Sequence, residues 1–180
     1  RYFAAHRGNG TVRVLANEAE AILIERISPG RRLSTLSRSA RDDEATHVIC
    51  DTITTLQSSQ AEISGWPGHE EHAVQFETRQ VMAPLTRSIV SRAKSLFREL
   101  DATQEQRVLL HGDLHHENIL FDDERGWLAI DPKGEVGELA YELAAPLRNP
   151  LADPIQSSTQ MDRRVRIYCE RLKLDRQRVL

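Results

Sequence analysis

The sequence has no long apolar run, few aromatic residues and only two cysteines. Mean hydropathy is −0.49, and aromatic residues make up 5% of the 180 positions. No segment approaches the roughly 20 apolar residues that a membrane span needs. The first residues also lack the apolar centre of a secretory signal. We therefore expect a cytoplasmic protein that contains one substantial core or parts of two domains.

Cys50 and Cys169 lie far apart, each inside a helical pattern. Their spacing is not that of a metal site or a disulfide framework. We expect two reduced cysteines that pack as small apolar groups. The net charge of −3 is too small to indicate a nucleic-acid partner or a membrane surface.

Acidic residues are concentrated between His111 and Asp153. This segment contains ten Asp and Glu residues against three Arg and Lys residues, a local charge of −7. Such a concentration favours the handling of cations, either metal ions or a cationic small molecule. A solvated acidic surface would have the same composition and is the alternative on charge alone.

The pattern changes from strand-like to helical after about residue 30. Residues 11–15 and 21–27 are rich in β-branched side chains, and Asn17-Glu18 predicts a turn between two paired strands. Ser28-Pro29-Gly30 interrupts this pattern and predicts a boundary between two lobes, which we place after residue 30.

Helices are predicted downstream from apolar stripes. The first stripe comprises Ala45, Val48, Ile49, Thr52, Ile53 and Leu56. The second comprises Val81, Leu85, Ile89, Ala93, Leu96, Phe97 and Leu100, with an interruption at Pro84. The third comprises Met161, Val165, Tyr168 and Leu172.

Two short apolar strands on either side of residues 123–126 predict an antiparallel hairpin. With those four residues as the loop, Asn118 lies directly opposite Asp131 at the open end, and both side chains point to one face. Their oxygen atoms are ligands of the kind that Mg²⁺ prefers. Asp113 can reach the same region from the preceding loop, where a carboxylate can accept the proton of an attacking hydroxyl.

The strongest motif is His111-Gly112-Asp113-Leu114-His115-His116-Glu117-Asn118, followed downstream by Ile130-Asp131. It resembles the catalytic loop and the metal-binding aspartate of the aminoglycoside phosphotransferase family, which is related to the protein kinases. Residues 127–134 and Arg148-Asn149-Pro150 resemble the branch of streptomycin 6-phosphotransferases and hydroxyurea resistance kinases.

The resemblance implies a protein-kinase-like α+β fold. Residues 1–30 would be the end of a β-rich ATP lobe with its hinge, and residues 31–180 a mainly helical substrate and catalytic lobe. The implied enzyme uses ATP and Mg²⁺ to phosphorylate an alcohol group of a small cationic molecule, an antibiotic of the streptomycin type. Neither nucleic acid nor a membrane would be a partner.

The resemblance also implies individual roles. Asp113 would be the catalytic base, Asn118 and Asp131 the Mg²⁺ ligands, and His111 a structural support of the catalytic loop. The backbone of Glu25, Arg26 and Ile27 would be the hinge that receives adenine. The candidates for substrate binding are His115, Glu117, Glu135 and Glu138. On charge pattern alone, Glu135, Glu138 and Glu142 are typical of a solvated helix face.

The family pattern also requires a phosphate-covering loop and a strand lysine upstream of the hinge. No lysine precedes Lys94, so we expect an internal part of a longer protein that is not fully active by itself.

Three alternatives to the streptomycin-type kinase are open. One is another small-molecule kinase, such as a choline or sugar kinase, and a second is a non-catalytic kinase-like binding protein. The third is a zinc metallohydrolase that uses His111, Asp113, His115 and His116.

Overall fold

The computed structural model describes residues 1–19, 21–68, 87–150 and 158–180. Its helices are α1 (Tyr2–His6), α2 (Ser34–Arg38), α3 (Asp42–Ser58), α4 (Arg87–Ala102), α5 (Leu139–Glu142), α6 (Ala144–Arg148), α7 (Ser158–Leu172) and α8 (Arg176–Val179). Its strands are β1 (Val14–Glu18), β2 (Ala21–Ile24), β3 (Pro29–Arg32), β4 (Val108–Leu110), β5 (Ile119–Asp122), β6 (Gly126–Ala129) and β7 (Glu135–Gly137). Within these ranges, no helix combines the length and apolar character that a membrane crossing requires.

The main core lies between α3 and α7. The predicted stripe on α3 is confirmed, because Ala45, Ile49 and Ile53 are buried and belong to one cluster with Tyr168 of α7. Leu114, in the motif of residues 111–118, belongs to the same cluster. The loop that carries the strongest sequence motif is therefore attached directly to the helical core.

The helix predicted in the second stretch is confirmed as α4, but its apolar side is not buried as predicted. Ile89 and Leu96 are exposed, and no residue of α4 is buried by the part of the chain that the structure describes. Val81, Leu85 and the predicted interruption at Pro84 lie outside the described residues. Both cysteines are free, with Cys50 buried in the core, as expected.

The predicted antiparallel pair near the N-terminus is confirmed as β1 and β2, but its turn was placed too early. Glu18 pairs with Ala21, so the turn follows Glu18. Thr11 and Val12, predicted to be in the first strand, are fully buried instead. Thr11 forms a parallel bridge with Ala129 of β6. Their β-branched side chains serve the core rather than the β1–β2 ribbon.

The hairpin of β5 and β6 is confirmed, whereas its predicted register is wrong by one residue. Asp122 pairs with Gly126, so the loop is 123–125 rather than 123–126. The Asp122 carboxylate accepts hydrogen bonds from the N–H groups of Glu124 and Arg125, which closes the shorter turn. Gly126 has a φ of 74° and is the first residue of the second strand, a left-handed conformation that glycine adopts without a steric cost.

A third strand, β3, completes the sheet with the order β3-β5-β6. Arg31 pairs with Phe121 and Arg32 with Leu120, and the N–H of Leu33 donates to the carbonyl of Ile119. The predicted lobe boundary at residue 30 thus falls inside a strand of this sheet. The segment after Ser28 is the edge strand of the sheet that contains the β5–β6 hairpin.

Candidate active site

The catalytic-loop motif, residues 111–118, connects β4 to β5. The Asp113 side chain is 25% exposed and has a basic group near each carboxylate oxygen. Arg148 Nη2 lies 3.6 Å from Oδ1, and His115 Nε2 lies 3.9 Å from Oδ2. Neither contact is a close hydrogen bond. The carboxylate therefore lies near one permanent cation, Arg148, and has no close side-chain partner among these two groups.

Asn118 does not lie opposite Asp131, which corrects the predicted pairing. The Asn118 carbonyl accepts a hydrogen bond from Ile130, so Asp131 lies one residue beyond the pair. Asp131 has a φ of 56° and leaves the strand, a left-handed conformation that Asp tolerates better than most residues. The convergence of the two side chains thus cannot be derived from strand register and stays a prediction.

Both predicted metal ligands nonetheless have an oxygen to offer. Asn118 is nearly buried, and its Nδ2 donates to the carbonyl of Asp113 at 2.9 Å. Because that nitrogen faces the loop, Oδ1 must face away from it. The Asp131 carboxylate is exposed and makes no hydrogen bond or ion pair with the residues that the structure describes. A hard cation such as Mg²⁺ suits these two oxygen donors.

His111 makes contacts of the kind expected for a structural support. Its ring Nε2 lies 2.9 Å from the carbonyl of Ile130, and its own carbonyl accepts the N–H of Lys133 at 2.9 Å. Burial lowers the pKa of His111 to about 4, so the ring is neutral near pH 7. Its Nδ1 faces the N–H of Asp113, which places the ring proton on Nε2. His111 therefore links Asp113 to the segment that contains Asp131.

The histidines of the loop do not form the zinc site of the alternative hypothesis. Nε2 of His111 is used by Ile130, and His116 is fully buried, with its pKa lowered by burial to about 3. Among the described residues, no group of three or more His, Cys, Asp or Glu side chains is placed to hold a metal ion.

Most of the acids proposed to bind substrate already have arginine partners from distant segments. Glu117 bonds with Arg32 and Arg38, and Glu138 forms an ion pair with Arg178. Glu135 is 3% exposed. The predicted solvated helix face is therefore wrong for Glu135, which lies in β7, and for Glu142, which is buried. The local charge of −7 overstates the negative potential near Asp113.

Sequence analysis missed the roles of Arg148 and Glu142. Arg148 ends α6 beside Asp113, a contact that its place in the Arg148-Asn149-Pro150 motif does not indicate. Glu142 ends α5, and its carboxylate accepts hydrogen bonds from the N–H groups of His111 and Gly112. An acid embedded in the apolar run Leu139–Leu147 was the available signal for a buried carboxylate. Arg148 and Glu142 line a cavity of about 80 Å³, together with Lys133 and Gly112.

The backbone at Gly112 predicts a strong effect of adding a methyl group. Its φ is 80°, and an added Cβ would overlap the Glu135 carboxylate. We expect Gly112→Ala to lower the free energy of unfolding by about 3 kcal/mol, combining left-handed strain of roughly 1–2 kcal/mol with overpacking of roughly 1–3 kcal/mol. Urea unfolding measures this loss.

Gly126→Ala is the matched control, because its φ is 74° and an added Cβ meets no atom within 4 Å. Its free energy of unfolding should fall only by the part that comes from left-handed backbone strain. Equal losses in the two variants would mean that Glu135 does not limit the space beside the catalytic loop.

The predicted hinge, residues 25–27, lies between β2 and β3 without regular structure. The N–H of Glu25 already donates to the carbonyl of Arg13 at 3.0 Å. The Glu25 carboxylate pairs with Arg125, whose guanidinium also donates to the carbonyl of Thr11. Any adenine contact through an N–H group in this segment would thus fall to Arg26 or Ile27.

Comparison with known proteins identifies relatives over the whole chain. Residues 1–180 match the family model described as aminoglycoside/hydroxyurea antibiotic resistance kinase. The streptomycin 3''-kinase of Klebsiella pneumoniae is 40% identical over 153 residues, which cover 82% of this chain and 54% of that protein. The streptomycin 6-kinase of Streptomyces griseus is 32% identical over 185 residues, which cover 95% of this chain and 58% of that protein.

The fold also agrees with solved structures. An aminoglycoside-3'-phosphotransferase of type VIII superposes with a TM-score of 0.65 over 98% of this chain and 73% of its own, at 16% identity. This likeness shows the protein-kinase-like α+β fold. The chain spans about half the length of the curated relatives it matches. It is a member of the aminoglycoside/hydroxyurea antibiotic resistance kinase family.

Proposed function

We propose that the full-length protein transfers the γ-phosphoryl group of ATP to a hydroxyl group of a small cationic molecule, an aminoglycoside of the streptomycin type. The observation that carries this proposal is the arrangement of Asp113 and Asn118. One loop presents a partly exposed carboxylate, and a hydrogen bond from Asn118 to the Asp113 backbone leaves an amide oxygen for a cation. ATP as the donor agrees with a cytoplasmic location.

In this proposal, Asp113 accepts the proton of the substrate hydroxyl as that oxygen attacks the γ-phosphorus. Arg148 and His115 lie on either side of this carboxylate, 3.6 Å and 3.9 Å from its two oxygens. Asn118 and Asp131 would hold Mg²⁺, which neutralises the charge on the ATP phosphates when it is bound. His111 keeps the base and the Asp131 segment in register through Ile130.

The choice of a streptomycin-type substrate is supported by the relatives, which are named streptomycin kinases. The local acids support it less than their number indicates, because Glu117 and Glu138 are paired with arginines. These two residues and Glu135 are therefore weaker candidates for direct substrate contacts than His115, which lies beside Asp113.

The test is an assay of ADP release by the full-length protein with streptomycin, other aminoglycosides, hydroxyurea, choline and simple sugars. We expect streptomycin to give the highest kcat/KM. NMR of the product would then show whether the 3'' or the 6 position carries the phosphoryl group. A higher kcat/KM for choline or a neutral sugar would reject the aminoglycoside assignment, and no ADP release with any compound would reject the kinase assignment.

The proposed metal role of Asp131 predicts a distinct kinetic effect. In the full-length protein, Asp131→Asn should raise the Mg²⁺ concentration needed for half-maximal activity by at least about 10-fold, since even an outer-shell partner is worth that much to a metal site. The apparent KM for ATP should rise with it. Asp123→Asn, in the exposed hairpin loop, is the control for charge. An unchanged Mg²⁺ requirement would remove Asp131 from the proposed metal site.

A further inference from the structure

The Glu142 carboxylate bonds to both peptide groups that lead into Asp113. Its Oε2 accepts the N–H of His111 at 2.7 Å, and its Oε1 accepts the N–H of Gly112 at 3.0 Å. Glu142 is only 3% exposed. A carboxylate shared by two consecutive N–H groups fixes the orientation of the chain at the start of the catalytic loop.

A second buried acid lies against the same peptide. Glu135 pairs with Leu110 across β7 and β4, and its carboxylate fills the space beside Gly112 where a Cβ would lie. Two acids thus meet at one glycine. The nearby charge of Glu135 opposes ionisation of Glu142, whereas the N–H bonds favour it. The protonation of Glu142 is therefore balanced between opposing effects.

Several other groups face Glu142 from the surrounding elements. Burial, followed by the charge of Glu142, raises the pKa of Tyr2. Burial, then Glu135 and to a smaller extent Glu142, raises the pKa of Tyr141. The cations Lys133 and Arg148 line the cavity next to it but are exposed. Burial, with a smaller effect from Glu135, raises the pKa of Glu142 to about 7.

We propose that Glu142 is a positioning residue for Asp113, whose two hydrogen bonds to the loop backbone are complete only when its carboxylate is ionised. The hydroxyl oxygen of a protonated carboxyl group is a much poorer acceptor for a facing N–H than a carboxylate oxygen. Protonation therefore weakens one of the two bonds and loosens the peptide before the base. The inference depends on the proposed function only for the role of Asp113 as base.

The expected consequence is opposite pH dependences of activity and stability. Activity should rise as the pH passes through about 7, because Glu142 ionises and the loop becomes ordered. Since the folded-state pKa is raised above the unfolded value, the folded protein binds more protons between about pH 4.5 and pH 7. The contribution of Glu142 to stability is thus full below that window and falls as the pH rises through it. A residue that served only to stabilise the fold would not produce an opposite trend in activity.

The first experiment compares the full-length protein with its Glu142→Gln variant. The amide of Gln can accept only one of the two N–H groups, so we expect kcat to fall by about 10- to 100-fold, the scale of small misplacements of catalytic groups. KM for Mg·ATP should change little, and the acid limb of the kcat profile near pH 7 should disappear. Glu124→Gln, exposed in the hairpin loop, is the matched control and should behave as wild type.

A spectroscopic measurement tests the inference without using activity. The ¹H–¹⁵N signal of the Gly112 amide should titrate with a midpoint near pH 7 in the wild type and not in Glu142→Gln. If the wild type phosphorylates no compound in the panel but this signal titrates, the proposed function fails and the role of Glu142 in ordering the loop stands.

Two further outcomes decide the inference. Wild-type kcat and an unchanged acid limb in Glu142→Gln would overturn it. If that variant does not fold, Glu135→Gln replaces it: removing the neighbouring charge should move the acid limb and the Gly112 midpoint to lower pH. No movement of either in Glu135→Gln would also overturn the inference.

Discussion

Replacing Asp113 with asparagine in the full-length protein is expected to lower kcat by about 10²- to 10⁴-fold, the usual contribution of a general base. The amide keeps the size of the side chain but cannot take the proton of the substrate hydroxyl. The Asn118 bond to the backbone carbonyl of residue 113 does not involve the side chain and should survive. KM for Mg·ATP should therefore change little, in contrast to Asp131→Asn.

The measurement is a steady-state assay of ADP release with the best substrate of the panel. Asp123→Asn removes the same charge from the hairpin loop and should keep wild-type kcat. A loss of less than about 10-fold in Asp113→Asn would favour a kinase-like binding protein or a different base.

Replacing Arg164 with methionine should cause the largest loss of stability, about 3–5 kcal/mol, which is typical when one partner of a buried ion pair is removed. Arg164 is fully buried, and its Nε donates to Asp42 Oδ2 at 2.9 Å. Its Nη1 donates to the carbonyls of Pro146 and Asn149. One side chain thus joins α3 and α7 to the end of α6, next to Arg148 and the base.

Arg163→Met provides a control from the adjacent position. Arg163 pairs with Asp43 at 3.2 Å, but both side chains are about half exposed, so its loss should cost less than about 1 kcal/mol. Replacing both buried partners, in Arg164→Met with Asp42→Leu, should restore much of the stability. Urea unfolding of the full-length protein measures the stability of Arg164→Met, of Arg163→Met and of the double variant. Equal losses at positions 163 and 164 would show that burial of the pair is not what matters.

The ion pair of Arg164 and Asp42 also determines part of the loss of stability at acid pH. The hydrogen bonds from Arg164 and Ser37 outweigh the effect of burial and lower the pKa of Asp42 to about 2. Because the folded-state pKa is depressed, this contribution is fully present above about pH 4 and is lost as the pH falls towards 2.

The sequence predicted the hairpin and its strands, but not the turn that determines the register. Residues 123–126 are all polar or glycine, so composition favoured a four-residue loop. The turn is instead closed by the Asp122 carboxylate, and Gly126 pairs in the strand. A one-residue difference in the loop changes every cross-strand partner. Local composition cannot determine this choice, because it depends on a side chain that bonds to backbone N–H groups.

Charge was the least predictable property of the site. Acids outnumber bases between residues 111 and 153, but two of these acids have partners from far away in the chain: Arg32 for Glu117 and Arg178 for Glu138. Pairing between distant segments follows from tertiary packing, which spacing along the sequence does not encode. The catalytic motif was easier to recognise, because its residues occupy one short loop.

The edge position of β3 affects how the chain can fold during synthesis. The N–H of Ser28 bonds to the carboxylate of Asp122, 94 positions later, and ribosomes need roughly 5–20 s to add that many residues. Until then β3 has no partner in this sheet, and unpaired strands are sites of aggregation. Its own residues offer protection, because Pro29 has no N–H to donate and Arg31 and Arg32 carry charge. The composition of this strand therefore suits a segment that must stay unpaired and soluble until β5 has been made.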